Sequence, residues 1–176
     1  MNAILSIYSS KKLTPLLGKN FHKTTPKVVA EKINPLYCWY GDIYYLDRKK
    51  YLIFCNAKTR VIFMIGPYQV DNKIHFMNIF HDQLKKHLSK FFADTENYFE
   101  KVEDIGYLEK PDKGATAFLN RVKEDLNYSK AYRKSEGNQM KLPEDFEIMF
   151  ERYPTSIKGK IFFPEDRFIE VWENLK

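Results

Sequence analysis

Asp42, Asp47, Arg48, Lys49, Lys50 and Asn56 crowd one short stretch of the chain, and they hold most of the groups from which a reactive site could be built. Clustered acids bind the metal ions of many nucleases, and guanidinium or ammonium groups bind phosphate. Asp42, Asp47, Arg48 and Asn56 are therefore the catalytic candidates. Arg48, Lys49 and Lys50, with Tyr44, Tyr45 and Tyr51 close by, make the nucleic-acid-binding candidates. In such a site cations neutralise phosphates while aromatic faces stack on unpaired bases. The alternative for the same residues is ordinary solvated turn charges beside core tyrosines. Asp42 and Asp47 are five positions apart, which on one strand sends them to opposite faces, so a shared carboxylate site is not expected.

Other chemistry is sparse. There is no G-x-G-x-x-G, no Walker-type loop and no G-x-S-x-G elbow. His81 and His87 are six positions apart, a helical rotation of about 240°, and no Cys/His ligand spacing occurs. His22, His75, His81 and His87 are expected to face solvent or to be satisfied, with no metal and no cofactor. Cys38 and Cys55 are too few for a disulfide framework. A hairpin turning about Arg48-Lys49 sets Cys55 opposite Asp42 and Cys38 opposite Thr59, so the thiols should not meet. Two buried free cysteines fit a reducing compartment. Arg121, Lys123, Lys130, Arg133 and Lys134 form a further basic group, but Glu124 and Asp125 interrupt it, as on a solvated helix face.

The elements that must carry these residues are clearer. From Cys38 to Ile65, three apolar, aromatic-rich runs are separated by two short charged turns. They predict an antiparallel meander of strands Tyr40–Leu46, Tyr51–Cys55 and Arg60–Ile65, greasy on both faces, so both sides of the sheet must be covered. The two turns put Arg48-Lys49-Lys50 at one end of the meander and Lys58 and Arg60 at the other. Ala3 to Tyr8 adds a strand, and Ser9-Ser10 caps a short helix carrying Leu13, Leu16 and Leu17. Lys19 to Pro35 is read as a basic loop.

From Phe76 the period lengthens to that of a helix, with Met77, Phe80, Leu84, Leu88 and Phe91 on one stripe. Thr95 to Val102 is a short helix and Ile105 to Leu108 a short strand. Ala115, Phe118, Leu119, Val122 and Leu126 give the clearest amphipathic stripe, followed by a linker over Ser135–Lys141. Two Pro-Glu-Asp triplets, at Pro143 and Pro164, each open a helix, and a late strand spans Ser156–Phe163. The expected architecture is α+β over residues 1–176 as a single domain: a small antiparallel meander with additional short strands, packed by several amphipathic helices.

The chain has 176 residues, a net charge of +6 and a pI near 9.1. That balance favours acidic partners, nucleic acid among them. No apolar run approaches the roughly 20 residues that span a bilayer, and the N-terminus lacks the order of a signal peptide. A cytoplasmic protein with no membrane partner is expected.

Trp39-Tyr40, Asp47-Arg48-Lys49-Lys50, Leu52-Ile53-Phe54 and Asn56-x-x-Thr59 resemble a bacterial family known only as a domain of unknown function. Its pattern is a W-Y strand, an Arg-Lys turn, an L-x-F-x-N-x-x-T segment and then a long helix. Pro154, Gly159 and Phe163-Pro164 are similar to its ending. Cys38 stands where that pattern has Gly or a similar turn residue, Cys55 replaces an aliphatic one, and the 135–141 linker is longer. The resemblance implies fold and bacterial origin, and brings no activity with it.

A well-formed core with no catalytic constellation points to a non-enzymatic binding module. It would act through a protein partner or as a homodimer, in a regulatory, toxin–antitoxin or defence setting. The alternatives are an RNA or single-stranded DNA binding protein, or a small nuclease or transferase whose site assembles only in the fold.

Overall fold

A computed structural model describes residues 3–18, 21–69, 71 and 75–175, without the side chains of residues 22, 24 and 30. Lys19 and the His22 side chain lie outside that description. Strands β1 (Ala3–Ser9), β2 (Lys27–Val28), β3 (Cys38–Leu46), β4 (Lys49–Asn56), β5 (Ile62–Ile65) and β6 (Val102–Leu108) form one six-stranded sheet. Its order is β2-β6-β1-β3-β4-β5. The antiparallel meander β3-β4-β5 is half of it; β1 runs parallel to both β3 and β6, and β2 parallel to β6. The sheet is therefore mixed and the protein α+β.

The alternation of apolar residues drives two separate cores. Leu5, Ile7, Trp39, Phe54 and Phe63 point to one face, under helices α2 (Phe76–Leu88), α3 (Thr95–Glu100) and α6 (Pro164–Glu173). Tyr40, Tyr51, Ile53, Cys55 and Met64 point to the other, under α4 (Lys113–Ser135) and α5 (Glu144–Phe150). Both faces are thus covered, as the doubly greasy strands require. Phe80, Leu84 and Leu88 of α2 and Val122 and Leu126 of α4 are fully buried, each worth about 1.5–3 kcal/mol. Among the described residues, no helix is long and apolar enough to cross a membrane.

Several boundaries differ from expectation for local reasons. The first hairpin turns on two residues, Asp47 (φ 48°) and Arg48 (φ 66°), both left-handed as a tight primed turn needs. Lys49 and Lys50 belong to β4, so Cys55 faces Tyr40 rather than Asp42, and the Cys38 carbonyl receives the Ala57 N–H rather than facing Thr59. Both cysteines are free and buried. Arg60 is left-handed (φ 67°), which delays β5 to Ile62. Ser10 Oγ accepts the Leu13 N–H, but a 3-10 turn at Thr14–Leu16 follows instead of an α-helix. The 19–35 segment holds α1 (Phe21–Thr24), β2 and a 3-10 turn at Ala30–Lys32. The late strand is a hairpin, β7 (Thr155–Ile157) and β8 (Lys160–Phe162), turning at Lys158 and Gly159, both left-handed.

A candidate binding cleft at the sheet edge

The catalytic candidates do not gather. Asn56 is wholly buried: its Nδ2 donates to the carbonyls of Leu36 (2.8 Å) and Cys38 (3.4 Å). Its Oδ1 accepts from the N–H groups of Lys58 and Thr59 (3.0 Å each) and from the Thr59 hydroxyl (3.1 Å). Both polar atoms of the Asn56 amide are thus spent, the oxygen on shaping the turn, which accounts physically for the N-x-x-T pattern, and the nitrogen on tying the turn to the 36–38 segment. Asp42 pairs with Lys123 of α4 and accepts from Ser10 Oγ (2.6 Å) and from the Ile43 N–H (2.9 Å). Burial raises its pKa, but the hydrogen bonds from Lys123, Ser10 and Ile43 outweigh this and hold it below the ordinary carboxylate value. Asp47 bonds Lys130 of the same helix at 3.2 Å. Asp42 and Asp47 thus both reach α4, because Asp47 sits in the turn and not on the strand. They still engage lysines seven residues apart, about 10 Å along the axis.

The nucleic-acid candidates split as well. Tyr44 and Tyr51 are paired across β3 and β4 and buried in the α4 core, with the Tyr44 hydroxyl donating to Asn127 Oδ1 (3.0 Å). Tyr45, opposite Lys50, is 53% exposed, so among these three tyrosines it alone offers a face for stacking beside Arg48 and Lys49.

A different set of residues converges at the other edge of the meander. β5 is the last strand of the sheet, hydrogen-bonded on one side only, to β4. In an antiparallel pair alternate residues turn their backbone groups outward. The Asn56 N–H bonds the Val61 carbonyl, which fixes the phase and leaves those of Ile62 and Met64 facing away from β4. A cleft of about 600 Å³ lies along this edge, with Ile62, Phe63 and Met64 as its floor. α2 and the residues after it supply one wall, α5 a second and α6 a third.

The walls carry unusual polar groups. His87 of α2 lies between aromatic rings, 5.9 Å from Phe63 and 5.8 Å from Phe91 by centroids. Its Nε2 is buried with no hydrogen-bond partner, unlike the exposed His75 or His81, which contacts Asp82 at 3.4 Å. Burial, helped by the Lys90 charge and opposed by Glu147, pushes the His87 pKa down to about 4. Across the cleft, Glu165 in the first turn of α6 has its Oε2 buried and unpartnered. Burial raises its pKa against the opposing effect of backbone N–H groups and Arg152. Among the described residues these are the two buried side-chain polar atoms without a partner, and both residues line this cleft.

Ion pairs tie the walls together: Lys90 to Glu147 at 2.7 Å, and Arg152 to both oxygens of Asp166 at 3.1 and 2.9 Å. With those two pairs set aside, the lining keeps Glu144, Glu151 and Glu165, the last beside Arg152, against one further cation, Lys86, so it is acidic although the chain is basic. Ile148 of the lining is 71% exposed, and Phe163, two residues before Glu165, packs under the Arg152 guanidinium at 4.5 Å. Glu144 and Glu165 come from the two Pro-Glu-Asp triplets, which in the sequence signal only helix starts and give no sign of a shared cleft. His87 gives none either, since it falls beside the buried α2 stripe, next to Leu88. No group of three or more His, Cys, Asp or Glu among the described residues is placed to hold a metal.

Comparison with curated proteins and with solved structures returns no match. The sequence profile of DUF6933, a domain of unknown function, matches residues 6–167, and the chain belongs to that family.

Proposed function

We propose that the protein is a non-enzymatic binding module that acts through a protein partner, gripped at the β5 cleft. The observation that carries this reading is the pair of unpartnered buried atoms, His87 Nε2 and Glu165 Oε2, on two residues that line one cleft where Ile148 stands exposed. Leaving a buried polar group unsatisfied costs about 1–3 kcal/mol. A ligand that bonds to such a group recovers that cost, so the free protein holds binding energy in reserve. The acidic lining favours a basic partner segment over nucleic acid at this position. The test is affinity capture from the native host with wild type and an Ile148→Asp variant, which changes an exposed rim residue and should fold normally. A partner retained by wild type and lost by the variant supports the reading. Identical capture by both, or a strict monomer that captures nothing, contradicts it.

One observation favours a second reading, a small enzyme. A neutral imidazole and a carboxyl group that keeps its proton to higher pH stand in one cleft, an arrangement suited to acid–base chemistry. It predicts a metabolite consumed by wild type and spared by Glu165→Gln in a mass-spectrometric screen of host extract. Identical profiles for the two proteins rule against it.

A further inference from the structure

We infer that the β5 cleft receives an arginine side chain, carried on an apolar segment of the partner. This rests on the binding reading above and specifies what is bound. Three features of the cleft select that group. Two residues of the lining each carry a buried acceptor without a partner, reached once the side chain turns toward the cleft: Glu165 Oε2, and His87 Nε2 in the tautomer that holds its proton on Nδ1. A guanidinium presents several N–H donors in one rigid plane and can serve more than one acceptor, whereas an ammonium is a more compact donor that holds its water more tightly. The second feature is charge: once Lys90–Glu147 and Arg152–Asp166 are paired, three carboxylates of the lining oppose the single Lys86 ammonium. A cation is drawn in, and an anion would enter against that surplus.

The third feature is the apolar surround. The Phe63 and Phe91 rings flank His87, and Phe91 and Ile169 line the walls, so a flat, weakly hydrated cation can lie against them as the Arg152 guanidinium lies over Phe163. The exposed Ile148 of the lining then meets an apolar residue beside the arginine.

The experiment is an NMR titration of the full chain, with labelled histidines, against the blocked single residue N-acetyl-arginine methylamide. Its neutral isostere, the citrulline derivative, and the lysine derivative are the comparison probes. Saturable shifts of the His87 ring signals with arginine are expected, weaker with lysine and absent with citrulline. Glu165→Gln should reduce arginine affinity about tenfold or more, since a charge-assisted bond is lost, while Glu124→Gln, on the exposed face of α4, should leave it unchanged. Equal shifts with citrulline, no shift at His87, or unchanged affinity in Glu165→Gln would each overturn the inference. The probe comparison on wild type decides the matter even if Glu165→Gln folds poorly. A partner captured equally by wild type and folded Glu165→Gln, but lost by Ile148→Asp, would retain the cleft and remove the arginine. Loss of neither would remove both.

Discussion

Replacing Asn56 with Ala should cost more stability than any loss of function could explain, because the amide organises the β4–β5 turn. The substitution deletes five hydrogen bonds, two donated by Nδ2 and three accepted by Oδ1. Not all of them count equally. The Leu36 carbonyl keeps the Tyr98 hydroxyl at 3.1 Å, the Cys38 carbonyl keeps the Ala57 N–H at 2.9 Å, and Lys58 is near solvent. The Thr59 N–H and hydroxyl are buried and lose their acceptor, at about 1–3 kcal/mol for each unsatisfied group. The expected loss is therefore about 3–5 kcal/mol, large against the roughly 5–15 kcal/mol that holds an ordinary domain. At about 2–4 °C per kcal/mol for a chain of this length, the melting temperature should fall by roughly 10–15 °C. Asn56→Asp should fare no better at neutral pH, since it exchanges the Nδ2 donor for a charged oxygen against the Leu36 carbonyl. Urea unfolding followed by circular dichroism measures both. A loss under about 1 kcal/mol for Asn56→Ala would refute the turn-organising role and return Asn56 to the catalytic candidates.

Three further outcomes follow from the same geometry. Burial holds His87 at about 4, below its ordinary 6.5, so between those values the unfolded chain binds more protons than the folded one. Stability should rise with pH across that window, by about 3 kcal/mol from this residue, and an imidazole NMR midpoint near 6 would contradict it. Gly41→Ala should destabilise by about 1–3 kcal/mol, because a Cβ there would sit 2.5 Å from Phe54 Cε1 and 2.7 Å from Leu13 Cδ2; an unchanged melting curve would refute that packing. Binding to mixed oligonucleotides should be weak near physiological salt and alike in wild type and an Arg48→Ala, Lys49→Ala, Lys50→Ala variant. A steep, salt-dependent affinity lost in that variant, with a further loss of about 1–3 kcal/mol in Tyr45→Ala, would restore the nucleic-acid reading.

Local physics made much of the fold legible. The doubly apolar strands of the meander announced two covering layers, and the Ala115 to Leu126 stripe marked the inward face of α4. Parallel pairing of β1 with β3 and β6 was not legible, because it joins segments far apart in sequence and leaves no local turn signal. The hairpin register slipped by one residue on each side because Asp47 and Arg48 both accept left-handed backbone, while the basic run invited a wider turn. Charge density misdirected the site as well. Asp42, Asp47 and Asn56 stand out by residue type, yet each is occupied by a neighbour in the fold. His87 and Glu165 look ordinary in the sequence and become unusual only when α2, α6 and the β5 edge meet.

The most direct measurement is photo-crosslinking in the native host from a probe residue placed at position 148 on the cleft rim, with a second protein carrying it at position 128 on α4. Both positions are well exposed in the wild-type protein, Ile148 at 71% and Tyr128 at 75%, so either can react with a neighbour without disturbing the core. The account predicts a discrete protein adduct from position 148 that is absent from position 128, and that is lost when the cleft is filled by Ile169→Trp. Adducts of equal yield from both positions, or none from position 148 in cells where the protein is abundant, would contradict it.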